Sequence, residues 1–207
     1  VAGADGAGGG GGVSDVYVSL DVETTGPCPG LYSMISLGAA AFTRDGEERG
    51  TWSLNLAELP DAGRHPDTMA FWAEHPEAWE RSTMAPVDPA LAITDFARWV
   101  GFLGGKPIAA AWPAAFDFAF VNWYCHRFVG HNPLGFACLD IRSLAQGLTY
   151  SRGYYDLREN QIKAMRAEVD REGLTEHIAV DDAVEQGRLL VALLKRTKGG
   201  VPREVRA

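Results

Sequence analysis

The sequence predicts an α/β domain built on a mixed five-stranded sheet flanked by helices. Two observations carry this expectation. Three strand-like runs, linked by a loop and then a hairpin, open the folded part of the chain, and strands alternate with helical stretches after them. Strands joined by a hairpin pair antiparallel, whereas a strand–helix–strand passage returns parallel, so the order β-β-β-α-β-α-β-α-α calls for a mixed sheet.

The first strand is Val16 to Leu20, and the second is Met34 to Phe42. Arg44-Asp45-Gly46-Glu47 carries turn residues, so the third strand, about Gly50 to Leu56, folds back on the second. Leu59 to Pro66 is a loop rich in proline and charge. Asp67-Thr68 opens a helix, and Pro76 either splits it or sits in the first turn of a second piece that ends near Arg81. Phe71, Trp72 and Trp79 have two readings. They pack this region onto the domain, as aromatic residues at helical spacing commonly do, or they offer stacking faces to unpaired bases.

From Asp88-Pro89 to Leu103, Leu91, Ile93, Phe96 and Val100 recur at helical intervals, and Gly104-Gly105 stops the helix. Pro107 to Ala111 is a short buried strand. The next helix runs from near Ala114 to Phe128 and stops at Gly130. Phe136 to Asp140 is the fifth strand, followed by a short helix from Ile141 to Leu148. Tyr150 to Gly173 begins as a loop and turns helical near Leu157. The last helix, about Val180 to Lys195, carries Val184, Leu190, Val191 and Leu194 on its apolar side.

A chain of 207 residues fits one domain, and neither a repeat nor a long linker divides it. The expected limits are a flexible Gly-rich tail over 1–13, the folded domain over 14–198 and a C-terminal tail over 199–207. Apolar content of 46% and charged content of 22% are those of a soluble globular protein, and no apolar run reaches membrane-span length. The first residues lack the basic region and apolar core of a signal peptide, and Cys28, Cys125 and Cys138 show no Cys-x-x-Cys spacing. Reduced thiols in a cytoplasmic protein are the expectation. The net charge of −8 argues against a protein that coats nucleic acid, but not against an enzyme that meets phosphate through bound metal ions.

The stretch that organises the chemistry is Ser19-Leu20-Asp21-Val22-Glu23-Thr24-Thr25-Gly26. Positions i and i+2 of a strand share a face, so Asp21 and Glu23 project together just where the first strand should end. Two carboxylates that close repel unless a cation sits between them, and hard oxygen ligands suit Mg²⁺ or Mn²⁺. Standing alone, most such pairs are explained by an exposed strand end or turn. Asp117, at the opening of a helix, and Asp182, at the start of the last helix, each have the bland explanation of a carboxylate at a positive helix end.

The three segments Asp-x-Glu-Thr-Thr-Gly, Ala-x-Phe-Asp-x-x-Phe and His-x-Ala-x-x-Asp-Ala occur in that order over Val16 to Leu194. In this the chain resembles the DnaQ-like (DEDDh) 3′–5′ exonucleases, which include RNase T. The resemblance implies an RNase H-like fold. It implies that Asp21, Glu23, Asp117 and Asp182 are metal-binding carboxylates holding two Mg²⁺ or Mn²⁺ ions, with Glu23 also part of the catalytic set and His177 the general base. It leaves Asp181 as a solvated or capping residue. It also implies a terminal nucleotide held near Val22, Thr24, Thr25, Trp112 and Phe116. Where many relatives carry His-Asn-Ala, this chain has Trp112-Pro113-Ala114, so Trp112 packs or stacks there instead.

The chemistry requires these residue types. Phosphodiester hydrolysis needs an activated water and a stabilised leaving oxygen, and two metal ions roughly 4 Å apart serve both ends of an in-line displacement. A histidine with an ordinary pKa near neutrality accepts the water's proton at physiological pH. The expected activity is therefore metal-dependent 3′–5′ exonuclease action on single-stranded ends, releasing nucleoside 5′-monophosphates. Asp67-Thr68-Met69-Ala70-Phe71-Trp72 resembles a pattern in bacterial exoribonucleases of the family and favours RNA slightly over DNA. Two alternatives remain open: a catalytically silent nucleic-acid-binding module on the same fold, and a two-metal hydrolase of small phosphate esters. Family members are often dimers, so a homodimer is also open; no membrane partner is expected.

Overall fold

The computed structural model describes residues 14–149 and 159–197. The tails expected over 1–13 and 199–207, and the loop expected from Tyr150 to Leu157, lie outside the described residues. The strands are β1 (Asp15–Thr24), β2 (Met34–Thr43), β3 (Glu48–Asn55), β4 (Lys106–Ala111) and β5 (Cys138–Asp140). The helices are α1 (Pro66–Glu74), α2 (Pro76–Thr83), α3 (Pro89–Phe102), α4 (Ala114–Phe128), α5 (Ile141–Leu148), α6 (Glu159–Arg166) and α7 (Ala179–Thr197).

The sheet has the order β3-β2-β1-β4-β5. β1 pairs antiparallel with β2, and β2 antiparallel with β3, through the hairpin that closes at Gly46. β1 pairs parallel with β4, and β4 parallel with β5. The mixed five-stranded sheet is therefore the one the element order predicts.

Alternation along the central strand assigns its two faces. Val16, Val18, Leu20 and Val22 enter one core with Ile93 and Phe96 of α3 and Phe120 and Tyr124 of α4. Tyr17 enters another with Ile141 of α5 and Leu189, Leu190 and Leu193 of α7. Ser19, Asp21 and Glu23 share Tyr17's face by the period of two, which turns both carboxylates toward α7.

Two glycines let α7 sit close on that face. A Cβ on Gly38 of β2 would overlap the Ala179 carbonyl, and one on Gly187 would overlap the Phe42 ring. The start of α7 is thereby pressed onto β2, beside the acidic end of β1.

Two boundaries differ from expectation, each for a physical reason. β1 runs on to Thr24 rather than stopping at Leu20, because β2 continues to pair with it as far as Thr24↔Met34. β4 has already ended at Ala111 opposite Leu20, so Asp21 to Thr24 have a strand neighbour on one side only. β5 is confined to Cys138–Asp140, the residues that face Ala109 to Ala111, and Phe136 is left outside it, almost fully exposed. Pro76 occupies the first turn of α2 and also separates it from α1, so both roles considered for it coexist.

The aromatic readings divide between residues. Trp72 is buried and donates its Nε1–H to the Thr24 carbonyl at 2.9 Å. Trp79 lies against it at 5.4 Å between ring centroids. Phe71 is exposed and stands over the acidic end of β1.

Candidate active site

The acidic residues meet where β1 outruns β4. Because no strand flanks β1 there, the Val22 N–H is satisfied by a side chain instead: it donates to Asp117 Oδ1 at 3.1 Å, from the first turn of α4. Asp182 arrives on the opposite side, in the first turn of α7. His177 lies just before that helix in the left-handed region, with φ of 63°. Its backbone N–H donates to Asp182 Oδ2 at 2.8 Å. One turn further along α7, Gln186 Nε2 donates to Asp21 Oδ1 at 2.8 Å. Asp181 turns away and accepts from the Thr175 N–H in the loop before α7.

Electrostatics show how crowded this arrangement is. Burial, then the charges of Asp117, Glu23 and Asp182, hold the Asp21 carboxyl well above the usual carboxylate range. Glu23 is raised in the same way by burial, Asp182 and Asp117. Burial pushes Asp117 up to about 8, although the Val22 N–H pulls the other way. Asp182 is raised to about 6, again by burial, with the His177 N–H opposing. Burial lowers His177 below its ordinary value. Four carboxylates strained toward the neutral form create a local demand for positive charge.

The residues present fit a divalent cation. Asp117 Oδ2 is buried and has no hydrogen-bond partner among the described residues. Ligand atoms of Glu23, His177 and Asp182 all lie within 4.8 Å of one another. An oxygen-rich donor set is the one that hard divalent ions take.

Beside the acids opens a cleft of about 380 Å³, lined by Val22, Glu23, Thr24, Phe71 and Phe116, among others. Of the residues expected around a terminal nucleotide, Val22, Thr24 and Phe116 line this cleft. Thr25 does not, and its assignment as a cleft side chain is corrected. It is fully buried; its hydroxyl donates to the Gly63 carbonyl at 3.0 Å and accepts from the Ser33 N–H at 2.9 Å. β1 ends at Thr24, so Thr25 lies past the strand and the period of two no longer fixes its face. Trp112 lies apart from this cleft. It packs against the core under α5 and α7 and lines a smaller cavity of about 110 Å³ with Arg166, Asp182 and Gln186.

Several neighbours were not anticipated. Gln186 lies four residues after Asp182 on one helical face, a spacing visible in the sequence but uninformative without the partner strand. Phe71 meets the His177 ring edge-on at 5.1 Å and stacks on His75 at 4.3 Å, with His75 itself 4.8 Å from His177. Arg166 forms a two-pronged ion pair with the buried Glu185, fastening α6 to α7 one turn beyond Asp182.

Residues 18–190 match the RNase T exonuclease family. The chain belongs to that exonuclease family. Among curated relatives, the 3′-5′ DNA exonuclease Cap18 of Escherichia coli is 29% identical over 180 residues, covering 84% of this chain and 89% of Cap18. Among solved structures, the nuclease domain of 3′hExo, a DEDDh family member bound to rAMP, superposes with a TM-score of 0.63 at 12% identity, covering 88% of this chain and 92% of that one. Exonuclease I of E. coli in complex with a dT13 oligonucleotide gives 0.64 at 13% identity; the match covers 88% of this chain but 41% of that larger one. Pop2p of S. pombe, in a form with Mg²⁺ and Mn²⁺ bound, gives 0.62 at 16% identity, covering 91% and 86%. At these identities the structural likeness is one of fold: this exonuclease has the RNase H-like sheet of the DEDDh enzymes.

Proposed function

We propose that this exonuclease removes nucleotides one at a time from the 3′ end of single-stranded nucleic acid, releasing nucleoside 5′-monophosphates. The observation that supports this most directly is the convergence of Asp21, Glu23, Asp117 and Asp182 with His177 at the edge of a cleft of nucleotide size. DNA is the strand we favour. The relative matched over most of the chain is named for DNA, and that outweighs the short Asp67–Trp72 pattern that pointed to RNA.

In this reading Asp21, Glu23, Asp117 and Asp182 hold two divalent ions, Mg²⁺ or Mn²⁺. When bound, these ions would supply Lewis acidity to the scissile phosphate and charge for the leaving 3′ oxygen. The protein's own residues do the rest. His177, kept neutral by burial, takes a proton from the attacking water. Phe71 and His75, stacked on each other, both meet its ring edge-on. Val22, Thr24, Phe71 and Phe116 wall the cleft that receives the terminal nucleoside, whose base has aromatic faces to stack on.

The test is digestion of 5′-labelled single-stranded DNA and RNA with Mg²⁺ or Mn²⁺, against an EDTA control and a His177→Ala variant. A ladder that shortens from the 3′ end, stops with EDTA and slows about 10²- to 10⁴-fold in the variant is expected. Undiminished cleavage by the variant would remove His177 from the mechanism, and no cleavage by the wild type would overturn the reading.

A further inference from the structure

A second space lies along the elements that wall the cleft beside the acids. Phe116, Ala119, Trp123 and Arg127 follow one another along α4 at intervals of three, four and four, so they share one face of that helix. Phe116 lines the cleft, together with Gly26 and Pro27 of the loop after β1. The next residues of that loop and helix, Pro29 with Ala119, Trp123, His126 and Arg127, line an open groove of about 640 Å³. The same two elements thus wall both spaces, and the groove lies further along α4 from the end that carries Asp117.

Local construction supports a surface rather than an accident of packing. Gly30 has φ of 84°, and a Cβ there would press into the Trp123 indole, so the loop lies close against that ring. Trp123 is half-buried, whereas His126 and Arg127 are exposed. Among the described residues lining the groove none is acidic, in a chain of net charge −8. An aromatic face between cationic or protonatable side chains is the composition that binds single strands without reading sequence: bases stack, and phosphates meet positive charge.

We propose that this groove along α4 holds the nucleotides lying 5′ to the scissile bond, so that single strands long enough to reach Trp123 and Arg127 bind more tightly than short ones. The proposal rests on the exonuclease reading above. Arg127 lies eleven residues beyond Phe116, about 16 Å along the helix, which adds several nucleotides of contact beyond the terminal one.

The experiment compares KM for 5′-labelled single-stranded DNA of three and of fifteen nucleotides, in the full chain with Mn²⁺. The wild type should show a KM at least tenfold lower for the longer strand. Arg127→Glu, a change at an exposed position, should reduce that length ratio several-fold and make log KM less steep in log salt by about one unit. Trp123→Ala should reduce it by on the order of tenfold, with circular dichroism confirming the fold. A wild-type length ratio near one, or a ratio unchanged in Arg127→Glu, would overturn the groove. Failure of the wild type to shorten either strand would instead overturn the exonuclease reading on which the groove depends.

Discussion

The backbone N–H of His177 donates to Asp182 Oδ2 at 2.8 Å, tying the proposed base to a proposed metal ligand through one bond. His177 also carries a positive φ, which is uncommon for a residue with a Cβ and costs of order 1 kcal/mol or more. The bond from Asp182 helps to hold the residue in that conformation.

Replacing Asp182 therefore has two separable effects. Asp182→Asn keeps an acceptor for the His177 N–H while removing the charge; Asp182→Ala removes both. Each variant should lose activity by at least about 10³-fold, as expected when a metal ligand goes. Hydrogen exchange at the His177 amide should accelerate in the alanine variant and stay near wild type in the asparagine variant. Equal protection in both would show that the bond does not order the loop.

Gln186 is placed to orient Asp21 rather than to touch substrate. Its Nε2 donates to Asp21 Oδ1 from one turn beyond Asp182. Gln186→Leu keeps the bulk and removes the donor. Outer-shell changes of this kind cost about 10–100-fold in metal affinity or activity. The expected signature is a higher Mn²⁺ concentration for half-maximal activity, with rate partly restored at saturating metal. A lower rate at an unchanged metal requirement would argue against an orienting role.

The acidic centre makes the metal-free protein sensitive to pH. Asp117 is raised to about 8 in the folded state, against about 3.9 for an unfolded aspartate. A group that binds protons more tightly when folded contributes stability at low pH and loses it as pH rises through its folded value. His177, lowered by burial, has the opposite sign, but it is one group whose gain levels off within about a unit above its unfolded value of about 6.5, against several carboxyls raised by burial. Between pH 6.5 and 8.5, Tm measured in EDTA should therefore fall. Asp117→Asn should flatten the fall, and Mn²⁺ should raise Tm more at pH 8 than at pH 6.5. A Tm in EDTA that climbs across this window would contradict the burial of Asp117 as a destabilising acid.

How far the site was legible depended on the element carrying each residue. Asp21 and Glu23 could be read because a strand's period of two fixes their common face before any tertiary contact is known. Asp117 and Asp182 were legible only through the order of the three motifs, since a helix-start aspartate is otherwise unremarkable. Thr25 was misplaced because β1 stops at Thr24, and its side chain is taken up by Gly63 and Ser33, partners from loops that the strand's own pattern does not contain. Gln186 and the Phe71–His75 pair depend on how α1 and α7 dock, which local sequence does not encode. The overlong β5 had the same origin: the β4–β5 ladder runs only from Ala109↔Cys138 to Ala111↔Asp140, and Phe136 lies outside it.

That docking itself is testable at Gly38. The residue lies in β2 where Ala179 of α7 crosses, and a methyl group there would overlap the Ala179 backbone. Backbone cannot swing aside as a flexible side chain can, so α7 must shift or β2 must bend. Overpacking of this type costs about 1–3 kcal/mol, or about 2–10 °C in Tm for a chain of this size. Asp182 is three residues from the point of contact, so the same shift should move it relative to Asp21 and Glu23. Gly38→Ala should accordingly lose activity by more than its unfolded fraction explains, even at temperatures well below its Tm and at saturating Mn²⁺. Wild-type activity per folded molecule in that variant would mean that α7 is not the element that sets the spacing of the acids.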